Sequence, residues 1–505
     1  MPDTQIDFLQ LKKKLAKQYG VPIPTNADLR DRYNFLVGKR RIKRSLPLEK
    51  ILLSRAVRTQ SGVAVVAVLT KAYPCPGKCI YCPSEKDMPK SYLSNEPAVM
   101  RVIDSHFDPY RQVANRLRSL ELNGHQTDKI ELIVMGGTFS FLPKAYQKKF
   151  ILRCFQACNE YPKNLKSQIS NLKPDESLLK EQKKNETAKH RIIGLTLETR
   201  PDYIDEKEII NFRKLGCTRV ELGVQSIFND ILKLNNRGHL IDATIRATKL
   251  LKDAGFKINY HMMPGLPGST PARDFKMFME LFTNPDFQPD MLKIYPTVVL
   301  KNSVLYKIWK AGKYKPLTNK QFEKLVLKIK NEAIPPYVRI ARLVRDVPTS
   351  SIIAGPTVSN LRQIIIPQSN CQCIRCREVK GGYEIKEKII LDRIDYDASG
   401  GKEIFLQYVS PDKKKLFALL RLRITSETAI IRELHTYGKM AKIDKQDSAS
   451  PQHIGLGKKL LLEAEKIAKK EFGINKIVVI SGVGVREYYR KAGYKLQNTY
   501  MIKSL

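Results

Sequence analysis

What most constrains this chain is a recurrence. Apolar, β-branched runs stand at Val63–Thr70, Ile130–Met135, Ile192–Leu197, Arg219–Val224, Lys257–Met262 and Met291–Tyr295. Between them lie longer stretches with helical spacing, among them Pro109–Leu122, Tyr146–Asn159, Ile204–Leu215, Ile241–Ala254 and Ala272–Phe282. Strands alternating with helices specify a parallel α/β sheet, and six such units predict a partial (βα)6 barrel. One hydrophobic core stops growing at about 250–300 residues, so a chain of 505 must carry further domains.

The pattern changes on either side of the barrel. Residues 1–60 read as a basic helical extension with the run Lys39, Arg40, Arg41, Lys43 and Arg44, and residues 61–300 as the barrel. Within it, Tyr161 to His190 is polar and lysine-rich, which reads as an exposed helical excursion. Residues 301–380 form a basic, proline-punctuated connector. From about Gly381 to Leu505 the order becomes three strands, a glycine-rich turn, the amphipathic helix Leu456–Phe472, the strand Lys476–Ile480, a helix and a strand.

Charge narrows the partner. Lys and Arg number 89 against 50 Asp and Glu, a net +39, and a polyanion is the simplest reason to tolerate that self-repulsion. The longest wholly apolar run, Val63 to Leu69, is far below the ~20 residues of a membrane span. Met1 to Gly20 has no apolar signal core, so a cytoplasmic chain is expected, whose nine cysteines are metal ligands or buried thiols and not disulfides.

Cys75, Cys79 and Cys82 follow the first strand with the spacing Cys-x3-Cys-x2-Cys. Three thiolates in one loop can hold three irons of a 4Fe-4S cluster and leave the fourth open to the amine and carboxylate of S-adenosylmethionine (SAM). A structural zinc site would want a fourth ligand, and the next candidate, His106, is distant. The spacing resembles the radical SAM superfamily. Its order of motifs also matches the strand ends Met135–Phe139, Leu197–Asp202, Gly223–Ser226 and Pro264–Gly268, where barrel active sites collect. By that resemblance Gly136, Gly137, Glu198 and Arg200 contact SAM.

Gln452, Gly455 and Gly457 form a Gln-x-x-Gly-x-Gly loop before the long helix, matching the CoA-binding loop of the GNAT acetyltransferases. Glycines let the backbone approach a ligand, and the helix N-terminus offers amides to a pyrophosphate. Arg432 to Gly438 is expected as the central strand beside the thioester. Tyr489 either protonates the leaving thiolate or packs in the core.

Radical SAM followed by GNAT in one chain resembles the Elongator protein three family, archaeal members above all, through Val134–Phe139, Glu198–Asp202, Glu433–His435, Ile480–Gly484 and Tyr488–Lys491. The resemblance implies an acetyltransferase of the radical SAM type that forms 5-carboxymethyluridine at the wobble position of the tRNA anticodon. It implies acetyl-CoA contacts from Lys129, Glu433, Leu434, His435, Thr436, Leu456, Lys458 and Tyr489, with Lys129 and Tyr489 catalytic. It also implies an external one-electron donor; a homodimer is compatible with it. Cys371, Cys373 and Cys376 supply three soft ligands that fit zinc, with no fourth ligand identified and reduced thiols as the alternative. Two other functions remain open: a protein lysine (histone) acetyltransferase with a structural barrel, and a catalytically inactive RNA-binding scaffold.

Overall fold

The runs fold as their periodicity dictates: β1 (Ala64–Leu69), β2 (Lys129–Met135), β3 (Arg191–Thr199), β4 (Arg219–Gln225), β5 (Lys257–Met262) and β6 (Met291–Ile294). The structure, a computed structural model, describes residues 5–53, 62–162, 178–345, 347–380, 387–438 and 455–505. After a short β7 (Val299–Leu300) comes β8 (Arg339–Arg342), and β9 (Ile352–Ala354) pairs antiparallel with β7. β8 joins β6 in parallel, so the partial barrel has seven strands, in the order β1-β2-β3-β4-β5-β6-β8, and extends into the connector. Four residues with arginine at each end carry too weak a β signal to be read from sequence.

Alternation along the strands sorts polar from apolar. Ile130, Leu132, Val134, Val220, Leu222 and Val224 are buried in the core beneath the outer helices. Their neighbours Glu131, Arg219, Glu221 and Gln225 face cavities inside the barrel. Charge in a period-two register thus marks the lumen as the chemical face. Local capping fixes the outer layer. Asp108 accepts from the Arg111 amide and Pro109 takes the first position of the helix Pro109–Leu122.

The second sheet is built from β10 (Ile390–Ala398), β11 (Gly401–Val409), β12 (Leu416–Ile424), β13 (Ala429–Thr436), β14 (Lys476–Val479), β15 (Lys495–Gln497) and β16 (Tyr500–Ser504). Four strands, one more than expected, precede the glycine turn. Their order is β10-β11-β12-β13-β14-β16-β15, with the expected β13 at the centre. β13 pairs in parallel with β14 only over Ala429–Ile431. From Arg432 onward it loses that neighbour, and the split opens a cleft that the N-terminus of the helix Leu456–Phe472 borders.

Where it is described, the excursion after Tyr161 is exposed on one face, with Leu179, Lys180, Lys183 and Lys184 in solvent, and buried on the other. In the helix Leu178–Asn185, Glu181, Gln182 and Asn185 are buried, as are Glu186 and His190 beyond it. Asn185 accepts from the Ile192 amide at 2.8 Å, while Glu186 accepts from Arg486 at 3.1 Å and Arg490 at 2.8 Å. This segment therefore clamps the second sheet domain to the barrel. Residues 163–177 and the expected boundary at Gly381 lie outside the described residues. At the N-terminus the helices Gln5–Tyr19, Asn26–Gly38 and Leu46–Ile51 form as expected, with Lys39, Arg40, Arg41, Lys43 and Arg44 exposed.

Gly482 seats one domain on the other, since a Cβ there would lie 2.0 Å from the Ile193 carbonyl oxygen of β3. Backbone cannot yield as a side-chain tip can. Gly482→Ala is therefore expected to destabilise the protein by about 1–3 kcal/mol through overpacking, read as a lowered thermal midpoint. An unchanged midpoint would show that the two domains do not touch there.

Candidate functional site

Two cavities carry the candidate residues. The first, about 460 Å³, runs from the C-terminal ends of the barrel strands down the lumen and is lined at that end by Cys75, Cys79 and Cys82 together with Gly137, Glu198 and Arg200. The loop after β1 lies tight against Arg200, because a Cβ on Gly77 would come 2.3 Å from its Nη1. Asp202 holds that guanidinium at 2.9 and 2.7 Å and the Arg237 carbonyl accepts from it at 2.8 Å. Its Nη1 is buried without a hydrogen-bond partner among the described residues.

The three thiols differ electrostatically. Burial works to raise the Cys79 pKa, but Arg237, whose Nη1 donates to Sγ at 3.4 Å, outweighs it and lowers the value. Burial pushes Cys82 up to about 11. Cys75 accepts from the Gly77 amide at 3.4 Å. Glu198 accepts from Tyr92 at 2.7 Å and lies 3.7 Å from Lys293. Gly136 stands behind the wall against Thr70, while Gly137 faces the cavity.

The second cavity, about 440 Å³, is the split between β13 and β14, closed on its far side by the barrel. Lys129, Glu433, Leu434, His435, Thr436, Gly455, Gly457, Lys458 and Tyr489 all line it. Gly455 sits at φ +79° immediately before the helix, a left-handed conformation that favours glycine and turns the first amides toward the cleft. The Leu456 side chain is buried in the apolar core of the sheet. Gln452 lies outside the described residues.

Charge in this cleft is paired. Burial would raise the Glu433 carboxyl, but Lys257 at 3.0 Å and Arg421 at 2.9 Å hold it well below the usual carboxylate range. A carboxylate held ionised so firmly is no general base near neutrality. Burial lowers the Lys129 ammonium and raises the Tyr489 phenol, which therefore stays protonated. Sequence reasoning missed Lys257 and Arg219 here and His261 and Lys293 in the first cavity. Their signal was present as charge inside strand runs, Lys293 most clearly in the wholly buried β6.

In the connector the sulfurs of Cys371, Cys373 and Cys376 lie within 4.8 Å of one another, and Lys330 donates to Cys376 at 3.3 Å. Hydrogen bonds from Cys371 and Cys373 lower the Cys376 pKa, so one thiolate of the trio forms readily.

Residues 73–282 match the profile of the radical SAM superfamily, and residues 289–368 that of the radical SAM C-terminal domain. The chain is 48% identical over 482 residues to a protein of Methanocaldococcus infernus named tRNA uridine(34) acetyltransferase, covering 90% of this chain and 88% of that one. It is 39% identical to Elongator complex protein 3 of Homo sapiens, covering 99% of this chain and 93% of that one. The chain belongs to the Elongator protein 3 family. A solved structure from this family, archaeal Methanocaldococcus infernus Elp3 lacking residues 1–46, aligns with a TM-score of 0.74 at 45% identity, over 88% of this chain and all of that one. No helix among the described residues of this chain is long and apolar enough to cross a membrane.

Proposed function

We propose that the chain is a radical SAM acetyltransferase that forms 5-carboxymethyluridine at the wobble position of a tRNA anticodon. The observation that carries this is the placement of the two cavities at opposite mouths of one barrel, the cysteine-lined one at the C-terminal strand ends and the β13–β14 cleft at the N-terminal ends. Transfer of an acyl group to an amine needs only a nucleophile. Joining an acetyl methyl carbon to an unactivated uracil carbon requires a C–H bond to be broken, which is why both modules are needed.

The residues present fit a 4Fe-4S cluster and SAM. The three thiols line one cavity, Arg237 stabilises one as thiolate, and Arg200 Nη1, unpartnered among the described residues, offers a donor to an anionic group. Cys75, Cys79 and Cys82 would hold the cluster, and bound there it supplies the electron that cleaves SAM. Gly137 and Glu198 line the space left for SAM, with Gly136 shaping the turn behind them.

In the cleft, the amides at Gly455, Gly457 and Lys458 would take the CoA pyrophosphate at the helix N-terminus. Arg432 to Thr436 is the strand edge freed for the pantetheine arm. Tyr489, kept protonated by burial, donates to the thioester, and Lys129 reaches it from the barrel. The connector thiols fit zinc as three soft ligands, in the place where the barrel meets the second sheet.

Lys90, Arg342, Arg345 and Arg375 line the first cavity, where an RNA backbone would approach. With about six phosphates contacted there and by Lys39, Arg40 and Arg41, tRNA affinity is expected to fall by about 10³ between 50 and 200 mM salt. Affinity indifferent to salt would refute the interface.

The deciding experiment is anaerobic incubation with SAM, reductant, acetyl-CoA and tRNA. Mass spectrometry should find carboxymethyluridine in the anticodon; its absence, with the cluster loaded and SAM cleaved, would overturn the reading.

A further inference from the structure

The two cavities are not separate. Glu131, Arg219, Met291 and Arg339 line both. Arg219, Met291 and Arg339 are the first residues of β4, β6 and β8, and Glu131 lies one pleat inside β2, so the shared wall is the floor of the barrel. Strands of six or seven residues at ~3.3 Å each give a lumen about 20 Å long. A ligand held only by the cleft would therefore have its reactive end a barrel's length from the cysteine loop.

Arg219 crosses this floor. Its side chain is 93% buried and pairs with Glu131 through Nη1, which also lies 3.9 Å from the Met291 sulfur, while Nη2 is 3.7 Å from Glu221. Its Nε is buried with no hydrogen-bond partner among the described residues. A donor left so is destabilising unless a ligand supplies an acceptor. Beside it, Met291 offers a deformable apolar contact. A hydrogen-bond donor next to an apolar side chain complements a short acyl thioester, carbonyl to the guanidinium and methyl to the thioether. The carboxylates Glu131 and Glu221 exclude the phosphates of the same molecule from the lumen.

We propose that the barrel floor is a binding subsite for the acyl end of acyl-CoA, which enters the lumen from the cleft at Arg219 and Met291 toward the cysteine-lined cavity. The assignment rests on the acetyl-CoA reading above and adds where the acyl carbon goes. Arg219 positions the thioester, and Glu131 holds Arg219 across the lumen until the acyl group arrives.

Bromoacetyl-CoA tests this without turnover, because its electrophilic carbon stands where the methyl of acetyl-CoA stands. A thiol in reach displaces bromide, forming a thioether and releasing a proton. The full-length chain, with its cluster loaded, is prepared as Met291→Cys and, on the opposite wall, Glu131→Cys, with the exposed Lys207→Cys as control. Peptide mass spectrometry should find positions 291 and 131 alkylated at least about tenfold faster than position 207, with acetyl-CoA suppressing the reaction. Either lumen variant alone suffices should the other fail to fold. If bromoacetyl-CoA competes with acetyl-CoA yet neither position is alkylated above the control, the subsite is overturned while the acetyl-CoA reading stands. If acetyl-CoA does not bind the wild-type chain at all, both fall.

Discussion

Asp290→Ala is expected to cost about 3–5 kcal/mol of stability, because it strips one carboxylate from a fully buried charge cluster between the two domains. Asp290 precedes β6 and accepts from Arg432 Nη1 at 3.0 Å, while Arg421 lies 3.5 Å away. Glu403 takes Arg432 at 2.8 Å, Arg423 at 3.0 Å and Lys252 at 3.5 Å. Burial would raise the Asp290 carboxyl, yet Arg432, Lys252 and Arg421 hold it well below its ordinary value. Without it Arg432 and Lys252 are left to Glu403, which Arg423 also engages, while Arg421 keeps only Glu433. At about 1.4 kcal/mol per tenfold, the loss is two to three and a half orders of magnitude in the folding equilibrium. Urea unfolding measures it, and a change under about 1 kcal/mol would mean the cluster is hydrated. The sign of the pH dependence follows from the same geometry. A depressed carboxyl contributes fully above its unfolded pKa near 4, and that stabilisation erodes as pH falls below it.

That cluster also shows where sequence reading stops. β1 to β6 were legible because β-branched runs with flanking helices leave one architecture open, and the helices Pro109–Leu122 and Leu456–Phe472 have the bounds their spacing gave. The cysteine loop and the Gly455–Gly457 turn were legible because chemistry fixes their local spacing. Arg421, Arg423 and Arg432 were not, since arginines in strands usually face water, and only the second domain's position buries them. Glu186 hid for the same reason: a polar, lysine-rich stretch looks solvated until Arg486 and Arg490 arrive from 300 residues away. Gly482 stands in the family-like run Ile480–Gly484, and its close approach to β3 is visible only in the fold. What sequence withheld was which residues join the modules, because those contacts are distant along the chain.

The relation between the two modules makes the second large effect. Acetyl-CoA carrying deuterium on its methyl group should deliver deuterium into 5′-deoxyadenosine, provided the acetyl methyl is the hydrogen donor to the radical formed from SAM. Donor and acceptor must come within ~3–3.5 Å, and a misplacement of about 1 Å already costs about 10²-fold. The transfer is therefore sensitive to both cavities at once. Cys75→Ala, Cys79→Ala and Cys82→Ala together should abolish it with the loss of iron, while acetyl-CoA binding in the β13–β14 cleft survives. Gly455→Val with Gly457→Val should abolish it by the opposite route. The first forces a β-branched residue into φ +79°, and the second places a Cβ 3.1 Å from the Tyr488 hydroxyl and 3.6 Å from Thr436 Oγ1, inside the cleft. Iron content should then be unchanged, because the cysteine loop lies at the other mouth of the barrel. If the glycine variant still transferred deuterium at more than about a tenth of the wild-type rate, the donor would not be held in the cleft. If modified tRNA formed from the wild-type protein with no deuterium in 5′-deoxyadenosine, the acetyl methyl would not be the donor, and the bond to uridine would have to form by another route.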